Sequence, residues 1–389
     1  MSRTQVAIVG AGPAGLLLAA GLAQRGIDTV VLEARSRAHC EQRQRAGILE
    51  QGTVDLLEEL GAAARLHAEG FAHDGLCLVG EGQAVRIDLH GLTGRRVALW
   101  PQTEVVKDLI AARTAAGMAL HFEVSHVDVR DVDTDRPSVG FTHPDGRREE
   151  LACDVVAGCD GFHGVCRAAI PERERSVAAR DYPFAWLGIL ASVAPSCEEL
   201  IYASSEHGFA LHSMRTAEVS RLYVQVDPGD ALQAWPDERI WEQLHLRLAH
   251  PGFTLQEGPV TEKAILPMRS WVSTPMRHGR LVLAGDAAHI VPPTGAKGLN
   301  LAAADVRMLT GVLERFFGGE HEALGEYSER ALARVWRAEH FSWWMTTMLH
   351  RDPEADAFAR ELQRSQLRYV LTSQAAQTML AENYTGLPL

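Results

Sequence analysis

Hydrophobic residues recur with two different periods along the chain. Near the N-terminus, an apolar run at 5–9 precedes a glycine-rich turn, an apolar segment through about Arg25, and a second run at 28–33. This order predicts a strand, a helix and a second strand that pairs in parallel with the first, because a helical crossover returns the chain in the same direction. Similar patterns predict helices at 53–66 and 103–116, and further buried strands of this domain at 151–158 and 280–285.

Between about 181 and 268 the apolar period becomes two, which is typical of a half-buried strand. Arg221 and Tyr223 share one face of such a strand, opposite to the apolar residues that alternate with them. Ser213 and Arg215 share a face in the same way. We therefore predict a separate, mostly antiparallel layer with one polar face.

The composition disfavours several kinds of partner. The chain has 389 residues, of which 46% are hydrophobic, and its formal net charge of -12 argues against nucleic acid or an anionic membrane as the main partner. The most apolar stretch, 6–20, is too short and too rich in glycine to span a membrane. The cysteines show no CxxC pair and no zinc-type spacing, which favours a reducing cytoplasm and no metal site. They are Cys40, Cys77, Cys153, Cys159, Cys166 and Cys197.

A turn with the spacing GxGxxG follows the first predicted strand, at Gly10, Gly12 and Gly15. Gly10 permits the tight turn, Gly12 lets a pyrophosphate approach the backbone, and Gly15 lets the helix pack closely on the strand. The helix N-terminus, with Ala14 in its first turn, offers free N–H groups to phosphates. Glu33 ends the second strand, where a carboxylate can bind ribose hydroxyls. A chance glycine cluster is the alternative, but strand, helix and acid all stand in the expected order.

Two later segments distinguish FAD from NAD. Residues 158–164 follow a predicted strand and contain Asp160. Residues 285–300 place Asp286 in a turn, where it can bind a ribityl or ribose hydroxyl, and then begin a helix. A helix N-terminus there would stabilise negative charge on a reduced flavin. The structural alternative is that Asp286 only caps a turn.

With these motifs the sequence resembles the class A flavoprotein monooxygenases along essentially its whole length, most specifically at 285–300 and 341–345. The resemblance implies an α/β fold, with a Rossmann-like FAD-binding domain, a mostly antiparallel substrate-covering sheet and a helical C-terminal region used in homodimerisation. The predicted ranges are 1–180 for the first part of the FAD-binding domain, 181–268 for the substrate-binding sheet domain, 269–298 for the return segment of the FAD-binding domain, and 299–389 for the helical region.

The resemblance also implies which residues contact FAD. Arg45 would reach the pyrophosphate, although alone it would more often be a solvated charge. Arg221 matches a family residue linked to movement of the flavin between an inner and an outer position. The predicted cofactor-binding residues are Gly10, Gly12, Ala14, Gly15, Glu33, Arg43, Gln44, Arg45, Ala46, Gly47, Ile48, Gln102, Asp160, Arg221, Asp286, Leu299 and Asn300.

The activity implied by the resemblance is hydroxylation of 4-hydroxybenzoate to 3,4-dihydroxybenzoate with NAD(P)H and O2, through a flavin C4a-hydroperoxide. Arg215 would bind the carboxylate, because a guanidinium offers two parallel donors. Taken alone, an arginine on a strand is more often a surface residue. The predicted substrate-binding residues are Tyr202, Ser213, Met214, Arg215, Tyr223 and Pro293.

The family also places a proton path beside the substrate phenol, which reacts far more readily as a phenolate. Tyr202 would contact the phenol and bond onward to Tyr384, His73 would connect the pair to solvent, and the Pro293 carbonyl would face the phenol. A histidine near its ordinary pKa suits the solvent end of such a path. Two core tyrosines and a loop histidine are the alternative that the residues alone would favour.

For the nicotinamide cofactor the resemblance implies Arg35, His39, His163 and Arg269. Ala34 and His39 stand where some members of the family carry arginine and tyrosine, so both NADPH and NADH stay open as co-substrates, with NADPH favoured.

Other classes of protein fit the sequence less well. A flavin disulfide reductase needs a paired-cysteine motif, and a plain pyridine-nucleotide dehydrogenase does not need the segment 285–300. A flavin-binding sensor or interaction module is the non-enzyme alternative. Within the monooxygenases, another hydroxybenzoate or an aminobenzoate is the rival substrate.

Overall fold

The computed structural model describes residues 2–42 and 47–386, in which strands and helices are mixed before residue 298 and helices alone follow. Its strands are β1 (Ser2–Arg3), β2 (Val6–Val9), β3 (Thr29–Leu32), β4 (Ile48–Glu50), β5 (Phe71–His73), β6 (Gly75–Gly80), β7 (Gln83–Asp88), β8 (Val97–Leu99), β9 (Leu120–His121), β10 (Ser125–Arg130), β11 (Ser138–Thr142), β12 (Arg148–Ala152), β13 (Val155–Gly158), β14 (Ser176–Ala191), β15 (Leu200–Ser205), β16 (Gly208–Met214), β17 (Ser220–Val226), β18 (Val260–Thr274), β19 (Arg277–His278), β20 (Leu281–Leu283) and β21 (His289–Ile290). Its α-helices are α1 (Pro13–Ala23), α2 (Arg37–Gln42), α3 (Gln51–Glu59), α4 (Ala64–Glu69), α5 (Leu89–Thr93), α6 (Gln102–Ala115), α7 (Asp237–Leu248), α8 (Gly298–Phe317), α9 (Ala323–Leu349), α10 (Ala357–Thr372) and α11 (Gln374–Thr385).

A six-stranded sheet in the order β19-β20-β13-β2-β3-β9 forms the centre of the nucleotide-binding region. Its neighbouring strands from β20 to β9 all pair in parallel, as the sequence predicts. All four residues of β2 are buried, because α1 packs on the sheet and α8 packs on α1. Since parallel strands end at the same edge, the turn after β2 and the residue after β3 meet there. This edge carries Gly10 and Glu33.

An eight-stranded sheet in the order β21-β18-β14-β17-β16-β15-β6-β7 forms the second layer. It is antiparallel except for the parallel pair β15–β6. The range 181–268 covers its central strands, but β6, β7 and β21 come from outside that range, and β14 and β18 cross its ends. The sequence does not reveal this, because a short strand carries no local sign of which sheet it joins. The four domain ranges stay a prediction.

Two smaller sheets complete the β structure: β1-β12-β11-β10 and β4-β8-β5. The three-stranded sheet matters for the site because it holds Ile48 on β4 and His73 on β5. The predicted helix at 53–66 is two helices, α3 and α4, because the chain turns at Gly61 with φ of 70°. A helix cannot continue through a left-handed residue.

The region after 299 is helical, as predicted, and consists of α8 to α11. Side chains of α9 and α11 pack with those of the eight-stranded sheet in one apolar cluster that contains Tyr202, Tyr223, Met345 and Tyr384. These helices therefore cover part of this sheet. Within residues 2–42 and 47–386, none of the helices is both long enough and apolar enough to cross a membrane.

Candidate active site

The glycine turn after β2 has the geometry of a phosphate-binding turn. Gly10 has φ of 107°, and a Cβ atom added there would lie 2.3 Å from the carbonyl oxygen of Cys159. A Cβ on Gly15 would lie 2.0 Å from the carbonyl oxygen of Gly10. A Cβ on Gly12 would meet nothing within 4 Å, and no side chain caps the start of α1 at this point. Gly10 and Gly15 thus allow close packing, and Gly12 leaves open space in front of unbonded helix N–H groups.

Two predicted acidic residues border this edge. One Glu33 carboxylate oxygen accepts a hydrogen bond from the Ala11 N–H at 2.7 Å and the other accepts from the Arg35 N–H at 2.7 Å, so the acid is held beside the glycine turn. Asp286 is exposed in a single-turn helix, Gly285–Ala287, directly after β20. Both carboxylates follow parallel strands of the same sheet, β3 and β20, between which β13 and β2 lie.

Asp160 shapes the neighbouring loop. One of its carboxylate oxygens accepts the Cys166 N–H at 2.9 Å, and the other is buried without a partner among the described residues. A Cβ on Gly164 would lie 2.0 Å from the Asp160 carboxyl carbon, so the loop closes tightly around this side chain.

Asn300 connects the start of α8 to β4. Its amide nitrogen donates to the carbonyl oxygens of Ile48 at 2.9 Å and Ala296 at 2.8 Å. Its amide oxygen accepts from the Glu50 N–H at 2.9 Å and from the Thr53 hydroxyl at 2.8 Å. The side chain is therefore fully hydrogen-bonded within the protein, and it holds the strand that carries Ile48. Leu299 is partly buried beside it.

A cavity of about 320 Å³ opens on the polar face of the eight-stranded sheet. That volume suits a small aromatic acid. The predicted residues that line it are Gly47, Ile48, Tyr202, Ser213, Met214, Arg215, Arg221, Tyr223 and Pro293. Gln102 begins α6, next to Pro101, which also lines the cavity. Arg43, Gln44, Arg45 and Ala46 lie outside the described residues.

One part of the cavity is cationic. Ser213 donates to the carbonyl oxygen of Arg221 at 3.1 Å, and Arg215 Nη2 lies 3.5 Å from the Thr103 hydroxyl. Burial lowers the pKa of Arg215 to about 10, and the positive charge of Arg221 acts in the same direction. Arg215 stays charged at neutral pH, so this part of the cavity attracts an anion.

Tyr202 and Tyr384 form a buried pair whose hydroxyl oxygens lie 2.8 Å apart. Burial raises the pKa of both phenols, so each holds its proton at neutral pH. His73 is also buried, and burial lowers its pKa. Neither ring nitrogen of His73 has a hydrogen-bond partner in the described part of the chain, so the Tyr202–Tyr384 bond is made and a direct bond to His73 is not.

The predicted nicotinamide residues fall into two groups. Arg35 and His39 are exposed in the segment that follows β3. His163 and Arg269 both contact the Phe162 ring, with ring centroids 4.9 Å apart for His163 and the guanidinium 5.4 Å from the ring for Arg269.

Comparison with known proteins agrees with this geometry. Residues 3–342 match the model of the FAD binding domain family. The chain is 49% identical over 389 residues to a protein named p-hydroxybenzoate hydroxylase from Acinetobacter baylyi, an alignment that covers 99% of this chain and 96% of the other. This chain belongs to the class A flavoprotein hydroxylases. A probable NADH-specific resorcinol 4-hydroxylase from Rhodococcus jostii is 26% identical over 82% of this chain and 60% of its own.

Solved structures share the fold of this hydroxylase. The p-nitrophenol 4-monooxygenase from Pseudomonas putida superposes with a TM-score of 0.83 over 100% of both chains, at 20% identity. The anhydrotetracycline hydroxylase from Streptomyces rimosus superposes with a TM-score of 0.77 over 100% of this chain and 76% of the other, at 24% identity.

The residues present fit FAD, the cofactor of a class A flavoprotein hydroxylase. The open space over Gly12 and the uncapped start of α1 suit a pyrophosphate, and Glu33 and Asp286 suit hydroxyl groups. When bound, FAD supplies the redox and oxygen-activating chemistry, and the protein supplies position, charge and shielding.

The structure adds residues that sequence analysis did not single out. Trp186, on β14, lines the cavity, and the alternation of that strand could have revealed it. Lys297 is buried and donates to the Glu50 carboxylate and the Asn383 carbonyl, and it lies 3.4 Å from the Tyr384 carbonyl. Lys297 belongs to the motif at 285–300, but nothing in the sequence brings it to α11.

Proposed function

We propose that this class A flavoprotein hydroxylase converts 4-hydroxybenzoate to 3,4-dihydroxybenzoate, with NAD(P)H and O2 as co-substrates. The proposal rests on one observation: both Arg215 and Tyr202 line a single cavity. Leu211 pairs with Tyr202 across the sheet, and Ser213 and Arg215 follow further along the same chain segment. The carboxylate and the phenol of one flat ring thus find separate partners. The name of the 49% identical relative supports the same substrate.

The residues of the chain have separate parts in this proposal. Arg215 binds the carboxylate, assisted by Ser213 and Tyr223. Both tyrosines keep their protons at neutral pH, so neither can act as a charged base. Instead, Tyr202 accepts the phenol proton and passes its own hydroxyl proton to Tyr384. Tyr384 passes its own hydroxyl proton on through water to His73, which burial favours in its neutral form and which releases the proton to solvent. The Pro293 carbonyl faces the phenol, and the apolar walls exclude water.

For FAD, we propose the predicted set from Gly10 to Asn300, with Glu33 and Asp286 at the hydroxyl groups. For the nicotinamide cofactor, we propose Arg35, His39, His163 and Arg269. NADPH is favoured, because Arg35 is an exposed cation next to the acid that ends β3. NADH is the alternative co-substrate.

The same proposal includes a homodimer in the cytoplasm and the four domain ranges. Helices α9 and α10 expose an unusual number of large apolar side chains, which a second copy of the chain would cover. They are Trp336, Trp343, Phe358, Leu362 and Tyr369. Sedimentation of the purified protein tests this part, because a monomer at micromolar concentration contradicts it.

The decisive experiment measures NADPH and NADH oxidation by the purified flavoprotein with and without 4-hydroxybenzoate, together with formation of 3,4-dihydroxybenzoate. Strong stimulation with matching product supports the proposal and identifies the co-substrate. Stimulation that yields only H2O2 assigns 4-hydroxybenzoate as an effector and directs the search to other hydroxybenzoates or aminobenzoates. No stimulation contradicts the substrate class.

A further inference from the structure

The indole of Trp186 forms part of the cavity wall and is held in place by Tyr223, Phe209 and His350. Its ring lies against Tyr223, with centroids 4.7 Å apart, and stacks on Phe209 at 5.3 Å. Its Nε1–H donates to Nε2 of His350 at 2.6 Å. Both side chains are buried, and His350 does not line the cavity. A residue outside the cavity therefore fixes one of its walls.

His350 is itself fixed in one tautomer. Its Nδ1–H donates to the carbonyl oxygen of Thr346 at 2.9 Å, which leaves Nε2 as the acceptor for Trp186. Burial lowers the pKa of His350 to about 3, so the ring stays neutral through the physiological range. The imidazole also stacks on Phe184 at 4.7 Å and on Phe209 at 4.2 Å. Two stacked rings and a hydrogen bond at each nitrogen thus determine its position.

Thr346 continues the chain of hydrogen bonds to a second part of the cavity wall. Its hydroxyl donates to the Thr294 hydroxyl at 2.8 Å, and both side chains are fully buried. Thr294 lies in the single turn Pro293–Gly295, and Pro293 lines the cavity. Hydrogen bonds therefore run from Trp186 through His350 and Thr346 to the turn that carries Pro293, without passing through the cavity.

We propose that His350 is a positioning residue that holds Trp186 and the Pro293 turn at a fixed distance, and thereby sets the size of aromatic ring that the cavity accepts. The inference rests on the proposed function, because the ring concerned is that of the hydroxybenzoate. A buried indole N–H without an acceptor is unfavourable, so loss of the imidazole acceptor leaves the Trp186 ring free to reorient toward other partners. The cavity then widens, and it admits larger rings and water.

The test compares wild type with His350→Phe, which keeps an aromatic ring and removes both hydrogen bonds. Dissociation constants are measured by flavin absorbance for 4-hydroxybenzoate and for 4-hydroxy-3-methylbenzoate, and product formed per NAD(P)H is measured with the former. The preference for the smaller ring is the ratio of the two dissociation constants. We expect this ratio to fall roughly threefold to tenfold, the scale of one neutral hydrogen bond. Product per NAD(P)H falls as well. His90→Phe, at an exposed histidine on α5, is the matched control and should keep the wild-type preference.

A double-mutant cycle with Trp186→Phe separates positioning from general loosening. If His350 acts through Trp186, the double variant loses no more ring preference than the more affected single variant. Additive losses, or an unchanged preference in His350→Phe, overturn the inference. If His350→Phe does not fold, Thr346→Val and Thr346→Ser replace it, since only serine keeps the hydroxyl donor to Thr294. Equal preference in these two variants also overturns it. Wild type that does not hydroxylate 4-hydroxybenzoate contradicts the proposed function instead.

Discussion

The edge of the parallel sheet and the cavity on the eight-stranded sheet are built in different ways. At the edge, Gly10, Gly12 and Gly15 matter because they have no side chain: a Cβ on Gly10 or Gly15 would collide with a backbone oxygen. In the cavity, Arg215 and Tyr202 act through the groups they carry. The first region is shaped by the backbone of neighbouring segments, and the second by side chains from distant segments.

This difference determines how each region should respond to substitution. A change at the glycine edge should act first on folding and FAD affinity, since the backbone itself is displaced. A change in the cavity should leave the fold intact and alter either substrate binding or the ratio of hydroxylated product to H2O2. Each prediction below tests this contrast, in order of decreasing expected effect.

Gly10→Ala should have the largest effect. The new Cβ would lie 2.3 Å from the Cys159 carbonyl oxygen, at a residue with φ of 107°. We expect a loss of stability of about 3 kcal/mol or more, from overpacking together with left-handed strain. Thermal unfolding of the apoprotein measures it.

Two matched glycines control this prediction. Gly26 is also at positive φ, but an added Cβ would meet nothing within 4 Å. Gly26→Ala should therefore lose only about 1 kcal/mol of stability, from backbone strain. Gly12→Ala should fold normally yet bind FAD more weakly, because its Cβ enters the open space at the start of α1. Equal stability of the Gly10 and Gly26 variants contradicts the account of the glycine edge.

Arg215→Ala should weaken 4-hydroxybenzoate binding by about 3 kcal/mol, the scale of losing a charge-assisted pair in a partly buried site. The unfolding midpoint should change little, which is the contrast with Gly10→Ala. Titration of flavin absorbance measures the dissociation constant. Arg173→Ala, at a side chain that is 84% exposed, is the control for loss of one positive charge. An unchanged dissociation constant in Arg215→Ala contradicts the proposal that Arg215 binds the substrate carboxylate.

Tyr202→Phe should leave 4-hydroxybenzoate binding largely intact and reduce product formation by about 100-fold, the lower range of a proton-transfer contribution. NAD(P)H oxidation should continue, with H2O2 in place of the dihydroxy product. The measurement is product and H2O2 per NAD(P)H. Tyr369→Phe, at an exposed tyrosine on α10, is the control. Unchanged product yield in Tyr202→Phe would contradict the part of Tyr202 in removing the phenol proton.

The same contrast explains how much the sequence predicts. The glycine turn, its strand and helix, and Glu33 lie within one short segment, so local spacing is sufficient to predict them. Tyr202 and Tyr384 are far apart in the chain, and nothing local indicates that their hydroxyls meet at 2.8 Å. For that pair the prediction came from family resemblance, and the residues alone favoured ordinary core tyrosines.

The sheet that a strand joins could not be predicted for a similar reason. Strands β6 and β7 lie in a stretch assigned to the FAD-binding domain, yet they extend the eight-stranded sheet. Strand pairing is decided by tertiary contacts, which a period of two does not encode. The contacts of Trp186 with His350 and of Lys297 with Asn383 escaped prediction for the same reason, because each joins residues from different layers.

Glu339→Gln should have the smallest effect, and it probes the junction between the two regions. Glu339 lies on α9, near Ser270 of the eight-stranded sheet and near His289, which begins β21 shortly after Asp286. His289 is paired at 2.6 Å with Asp305, which also accepts the Gly285 N–H at 2.9 Å. Burial raises the pKa of Glu339 from 4.5 to about 7, against the opposing effects of Ser270 and His289.

The sign of the pH dependence follows from that direction. Between about pH 4.5 and pH 7 the folded protein keeps the Glu339 proton while the unfolded chain releases it, so stability falls as pH rises through this window. Glutamine stays neutral in both states, and Glu339→Gln should therefore gain about 2 kcal/mol over wild type at pH 6 and nothing at pH 4. Urea unfolding across this range measures the difference, with the exposed Glu329→Gln on the same helix as control. A stability difference between Glu339→Gln and wild type that does not vary with pH contradicts a raised pKa of Glu339 at this junction.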